Sequence, residues 1–321
     1  MRIPVLDMAD MRRAPSDRAR FVGEFARAFS DVGFAGLRGH GVSKTLVERS
    51  YRASAALFAL PEVDKLRYHR PELSGARGYT PFGVETAKDH SRPDLKEFWH
   101  VGRGPTDDGD HGDHSDHGGD GEALENLWPD GVGDFREATS ELFSALDTLG
   151  DELLSAIALG LGLAEDHFER VTDRGNSILR PLHYPPIDGD PRGAIRAGAH
   201  EDINLITLLV GSRQPGLQIL TRQGAWIDAP GGEELIICNV GDMLQRLTNH
   251  VLVSTTHRVV NPDDDDNVSR YSIPFFLHPN PDFEIRTLPG CISDERPDRY
   301  PQSISADDYL KERLREIGLL G

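Results

Sequence analysis

Two histidines and an aspartate form the most specific chemical pattern in this 321-residue chain. His200 and Asp202 stand two apart in AHEDINLITLLV, at the entry to a strand-like run. On an extended backbone both side chains project to one face. His257, in VLVSTTHRVV, offers a third ligand from a separate segment. Two imidazoles and one carboxylate make the facial set that suits non-haem Fe(II) and leaves positions open for substrates and O2. His-x-Asp alone is weak evidence, because 13 histidines in an Asp-rich chain give roughly one match by chance. The chain has three. His111/Asp113 and His114/Asp116 lie in a tract without a scaffold to fix ligand geometry, and a turn-capping pair is the bland reading of His200/Asp202. Arg270 and Ser272 tip the balance. They begin 13 residues after His257, and on a strand they present a guanidinium and a hydroxyl side by side, suited to a carboxylate. Arg52/Ser54 repeats that spacing inside an expected helix, with no metal motif nearby.

The elements that must position these residues fall into two kinds. The first half reads as helical. Ser16 is the expected cap of a helix carrying Phe21, Phe25, Phe29 and Val32 and stopped by Gly33. FAGL (34–37) reads as a short strand, and a second helix runs over 43–60 with Leu46, Val47, Tyr51, Ala55 and Phe58 inward. Pro61 opens a third, and 73–102 reads as irregular, with GYTPFG (78–83) as a loop. Residues 103–121 hold no large apolar side chain, which predicts a mobile insertion. Phe135, Ala138, Leu142, Ala145, Leu149, Leu153 and Ile157 then mark a long helix. From about 177 the period shortens to β-rich runs split by Gly, Pro, Asn and Asp, which suggests a sandwich or barrel. Gly241-Asp242 reads as a turn, and a last helix capped by Ser305 carries Leu310, Leu314 and Ile317.

Composition sets outer limits. The formal net charge is −18, but six aspartates lie in 107–120 and four in 263–266; setting those ten aside leaves −8, so the extreme is local. An acidic chain without a basic stripe is a poor polyanion binder, so nucleic acid is not an expected partner. No apolar run reaches the ~20 residues of a membrane span, and MRIPVLDMAD lacks a secretory apolar region. Cys238 and Cys291 have no metal or redox spacing and read as buried thiols of a cytoplasmic protein. No protein partner is inferable.

Taken in order, these motifs resemble the isopenicillin N synthase-like family of Fe(II)/2-oxoglutarate-dependent oxygenases. IPVLD (3–7), VGFAGLRGHGV (32–42) and LFALPEVDK (57–65) are similar to its helical non-haem dioxygenase region. LRPLHYPP (179–186), AHEDINLITLLV (199–210), NVGDMLQRLTN (239–249), STTHRVVNP (254–262) and RYSIPFF (270–276) are similar to its double-stranded β-helix. The resemblance implies an α+β chain: an N-terminal region over 1–102, the 103–121 insertion, helical support over 122–176, a jelly-roll core over 177–285 and a tail helix over 286–321. It implies Fe(II) on His200, Asp202 and His257. Arg270, Ser272 and Tyr184 would take the distal carboxylate of 2-oxoglutarate, with O2 as the other co-substrate. The reaction would oxidise a C–H bond of a small molecule by hydroxylation, desaturation or cyclisation, releasing succinate and CO2.

Departures matter. Leu182 and His183 stand where many plant members have Asn and Tyr, which argues against a plant-hormone or flavonoid substrate. Arg77 and Tyr79 resemble a substrate-contacting loop of the synthase, and His183 reads either as a satisfied imidazole or as a pocket residue. Alternatives are an oxidase of the same fold that uses substrate electrons or ascorbate, and an ethylene-forming variant. From other classes come a zinc hydrolase and a non-catalytic jelly-roll binding module.

Overall fold

A computed structural model describes residues 2–73, 75–86, 92–104, 124–211 and 214–316. Most of the Asp/His/Gly tract, with His111/Asp113 and His114/Asp116, and also Ile317, lie outside the described residues.

Six α-helices are present among them: α1 (Pro15–Asp31), α2 (Lys44–Phe58), α3 (Glu62–Leu66), α4 (Phe135–Gly160), α5 (Asp242–Leu247) and α6 (Ala306–Glu316). Pro15, not Ser16, opens α1, because its fixed φ suits the first helical position and needs no side-chain cap. Phe21, Phe25 and Phe29 form its buried stripe. The helix stops at Gly33, where φ is +73° and an added Cβ would lie 2.2 Å from the Val253 carbonyl oxygen. On α2 the buried face is Val47, Ser50, Ala53, Ser54, Leu57 and Phe58, so Leu46, Tyr51 and Ala55 sit at its edge. Both helices pack on α4. Ser305 caps α6 as expected: its hydroxyl accepts from the Asp308 backbone N–H and donates to the Asp308 carboxylate.

The strands are β1 (Val5–Asp7), β2 (Phe34–Arg38), β3 (Gly78–Thr80), β4 (Glu97–Gly102), β5 (Ile178–Leu179), β6 (Leu182–Tyr184), β7 (Ala197–His200), β8 (Ile206–Val210), β9 (Leu217–Leu220), β10 (Trp226–Asp228), β11 (Ile236–Val240), β12 (His257–Val259), β13 (Arg270–Leu277), β14 (Glu284–Ile285) and β15 (Ile304–Ser305). A large sheet runs β1-β2-β11-β8-β13-β5-β4-β3, with β6 bridging β13 and β4; a small sheet runs β10-β9-β12-β7. The two sheets make the jelly roll, and the helices cover the outer face of the large one; Phe143 of α4, for example, meets Phe275 of β13 edge-on at 5.0 Å.

Two further expectations fail. Gly78–Thr80 and Glu97–Gly102 are not irregular, since β3 and β4 extend the large sheet and every residue of β4 is buried. Gly241-Asp242 is not a simple turn but the start of α5. None of the described helices is long and apolar enough to cross a membrane.

Candidate active site

Three side chains, two on strands and one just after, converge between the sheets. Antiparallel pairing sets His257 of β12 opposite His200 of β7, with ring centroids 4.4 Å apart. Asp202 follows β7 by two residues. Its Oδ1 lies 3.7 Å from Nε2 of His200 and 3.7 Å from Nε2 of His257. One donor atom from each residue falls within 4.8 Å of the others.

The remaining atoms of these residues are held by neighbours. His200 Nδ1 donates to the Gly198 carbonyl at 2.7 Å and His257 Nδ1 to the Thr255 carbonyl at 3.2 Å, which leaves both Nε2 lone pairs for the centre. Asp202 Oδ2 accepts from the Thr207 hydroxyl at 2.6 Å and from Asn239 Nδ2 at 2.8 Å, leaving Oδ1 for the same point. Thr207 in turn accepts from Asn204 Nδ2 at 2.8 Å. Gly241 lets this layer close, because a Cβ there would sit 2.1 Å from Asn204 Oδ1. Burial first, then the neighbouring His257, pushes His200 down to about 4, so it is a neutral ligand at physiological pH. Burial opposes ionisation of Asp202, yet the two imidazoles and the two hydrogen bonds hold its carboxyl below the ordinary value. Sequence reasoning does not find Thr207 and Asn239; their only signal is an inward position on two paired strands of one sheet.

Beside this centre, β13 pairs with β6 so that Arg270 faces Tyr184 and Ser272 faces Leu182 on the inner side. Arg270 is 1% exposed, its guanidinium carbon lies 5.1 Å from the Tyr184 ring centre, and its Nε donates to the Pro215 carbonyl. Its Nη1 is buried without a hydrogen-bond partner among the described residues. Phe98, Leu182, Tyr184, Ala197 and Val259 form the apolar wall around it.

The other three expected pocket residues are not gathered here. His183 alternates with Tyr184 and faces outward, stacked on Tyr271 at 4.8 Å and hydrogen-bonded to Glu97 at 2.7 Å. Tyr79 donates to the same Glu97, which also pairs with Lys65 at 2.6 Å. That cluster fills the space between β4, β6 and the helices. Arg77 is buried with its guanidinium packed against Gly102, donating to the Ala76 carbonyl. Strand alternation, invisible until the pairings are known, puts Tyr79 and His183 on the far side of the sheet.

A different polar group lines the inner side. The Arg180 guanidinium is held between Phe98 at 4.5 Å and Phe276 at 4.8 Å, and its Nη1 lies 3.6 Å from Glu85. Phe276 pairs with Thr207, the residue that holds Asp202. Burial works against the Glu85 charge, but Lys96 and then Arg180 bring it to about 2, and His200 lies close enough to add to the effect.

Comparison with known proteins agrees with this geometry. A model described as non-haem dioxygenase in morphine synthesis N-terminal matches residues 3–131, and one for the 2OG-Fe(II) oxygenase superfamily matches 175–279. The chain is 31% identical to 2-oxoglutarate-Fe(II) type oxidoreductase hxnY of Emericella nidulans, over 98% of this chain and 89% of that protein. It is similar to a crystal structure of a 2OG-Fe(II) oxygenase family protein from Caulobacter crescentus (TM-score 0.86, 44% identity, 98% and 99% of the two chains). It is also similar to the crystal structure of a full-length Neurospora crassa protein in complex with alpha-KG and thymine (TM-score 0.84, 30% identity, 98% and 96%). The chain belongs to the isopenicillin N synthase-like Fe(II)/2-oxoglutarate oxygenases. It is a non-haem dioxygenase whose cofactor is Fe(II) and whose co-substrate is 2-oxoglutarate. An oxidase independent of the oxo acid is not favoured by these matches.

Proposed function

We propose that His200, Asp202 and His257 hold the Fe(II), that Arg270, Ser272 and Tyr184 take the distal carboxylate of 2-oxoglutarate, and that the enzyme oxidises a C–H bond of a small organic metabolite. The donor set fits the ion: two imidazole nitrogens and one carboxylate oxygen, each oriented by a partner on its residue's other polar atom. The observation that carries the reading is the buried Arg270 Nη1, which lacks a hydrogen-bond partner among the described residues beside that donor set. A buried guanidinium with a donor to spare is suited to receive a carboxylate, which the distal end of 2-oxoglutarate supplies.

When bound, Fe(II) with 2-oxoglutarate and O2 supplies the oxidising power, with succinate and CO2 as products. The chain's own residues orient and exclude. Asp202 stays ionised to offset the metal's charge. Phe98, Leu182 and Val259 keep bulk water from the reacting centre. Arg180 and Glu85 stand where they would fix the orientation of a polar substrate, and thereby choose which C–H bond is presented. A small-molecule substrate is supported by the thymine complex of the Neurospora crassa relative. Two free, buried cysteine thiols agree with a cytoplasmic location.

The test is a screen of small metabolites for stimulated succinate release in the presence of Fe(II), 2-oxoglutarate and O2. At least one compound is expected to raise succinate release and to be oxidised in step with it, and Asp202→Ala is expected to abolish both. Succinate release that survives Asp202→Ala counts against the reading.

A further inference from the structure

We propose that Arg196 is a second buried guanidinium of the co-substrate site, so that the distal carboxylate of 2-oxoglutarate is taken by a pair of cations, Arg196 and Arg270. The inference rests on the role proposed above for Arg270 and deepens it.

Arg196 immediately precedes β7, four residues before His200, and is 2% exposed. Its placement is fixed from two sides: the backbone N–H donates to Asn261 Oδ1 at 3.0 Å, and Nη2 donates to the Val268 carbonyl at 2.6 Å, two residues before Arg270. Its Nε is buried without a partner among the described residues, as is Nη1 of Arg270. The bond to Val268 holds the Arg196 guanidinium against the segment that leads into β13 at Arg270. Burial first, and then the positive charge of Arg270, depresses the Arg196 pKa, while Tyr184 acts on it in the opposite sense.

Two other buried cations here, both lysines, face acids: Lys65 meets Glu97 at 2.6 Å and Lys96 meets Asp94 at 2.8 Å. Among the described residues, no carboxylate pairs with Arg196 or Arg270. Two like charges withdrawn from water without an anion destabilise a fold. Such an arrangement fits a chain that receives its anion from outside. The ligand must carry a carboxylate remote from the metal-chelating end, which 2-oxoglutarate does and a monocarboxylic 2-oxo acid does not. The planar guanidinium fork suits this task better than an ammonium.

The test compares wild type, Arg196→Gln and Arg196→Lys, loaded with Mn(II) in place of Fe(II). Calorimetry measures Mn(II), 2-oxoglutarate and 2-oxobutyrate binding, and melting is followed in the metal-free protein. For Arg196→Gln the expected result is 2-oxoglutarate affinity lowered tenfold or more, Mn(II) affinity within twofold of wild type, and a smaller preference over 2-oxobutyrate. The metal-free melting midpoint should not fall, because one of two repelling charges is gone. Arg196→Lys should bind 2-oxoglutarate with intermediate affinity. Wild-type affinity and selectivity in Arg196→Gln would overturn this inference alone, as would a metal-free Gln variant that melts well below wild type. A wild-type protein with no affinity for 2-oxoglutarate would overturn the co-substrate assignment as well.

Discussion

His257 stands directly across the β7–β12 ladder from His200, so a single antiparallel pairing brings two residues 57 positions apart to a ring separation of 4.4 Å. Asp202 closes the triangle from the turn that follows β7. The register of two short strands therefore decides whether a metal centre exists, and hydrogen bonds from the large sheet decide how firmly its carboxylate is aimed.

Thr207→Val keeps the shape of the β8 side chain but removes the hydroxyl that donates to Asp202 Oδ2. Fe(II) affinity should fall roughly 10- to 100-fold, the usual effect of losing a partner behind a metal ligand. Anaerobic competition with a colorimetric chelator measures it, and the KM for 2-oxoglutarate should barely move. An unchanged Fe(II) affinity would mean that Asn239 alone fixes the carboxylate.

Arg270→Ala removes the buried cation facing Tyr184. The KM for 2-oxoglutarate should rise about 10- to 100-fold, the worth of a charge-assisted hydrogen bond. Metal content after anaerobic loading should stay near that of wild type. Equal loss of iron and oxo acid would show Arg270 to be a structural member of β13.

Glu97→Ala leaves Lys65 buried without its counter-charge and strips partners from Tyr79 and His183. The expected cost is about 3–5 kcal/mol of stability by denaturant titration. Fe(II) and 2-oxoglutarate affinities of the folded fraction should be retained, because the cluster lies on the outer side of the sheet. Loss of 2-oxoglutarate affinity without loss of stability would return Tyr79 and His183 to the pocket.

Metal-free protein should lose stability in mild acid. Burial pushes His278 down to about 4 from an ordinary 6.5, so between those values the unfolded chain binds the proton that the folded chain refuses. This contribution is complete above pH 6.5 and is lost as pH falls toward 4; for His278 it amounts to roughly 2 kcal/mol between pH 7.5 and 5. His200 changes stability in the same sense, through burial and then His257. Melting across that range should show a shallower pH slope in His278→Gln than in wild type. Parallel slopes would mean that His278 is free to protonate in the folded state.

What can be read from the chain, and what cannot, follows from how far each signal reaches. The apolar stripes of α1 and α4 are local and are visible as such. The His-x-Asp and Arg-x-Ser pairs are also local, because alternation along a strand fixes each pair's common face. β4 is hidden because Glu97 and His100 look wrong for a fully buried strand until Lys65, 32 residues earlier, and Arg180, 80 residues later, are seen to partner them. α5 is only six residues long, too short for a periodic signal, and NVGD reads equally well as a turn. Tyr79 and His183 suit a pocket by type and by neighbourhood in sequence. Their face depends on cross-strand register, which no local pattern encodes. The same is true of Arg180, Arg196, Thr207 and Asn239, whose roles come from the strands they meet.

Anaerobic titration of the metal-free protein with Fe(II) and then 2-oxoglutarate, followed by visible absorption, probes the shared iron and oxo-acid site with nothing in between. A weak charge-transfer band is expected, saturating with one equivalent of the oxo acid and absent in His200→Ala. Full Fe(II) binding with no such band in the wild-type protein, or an undiminished band in His200→Ala, would contradict the assignment of that site.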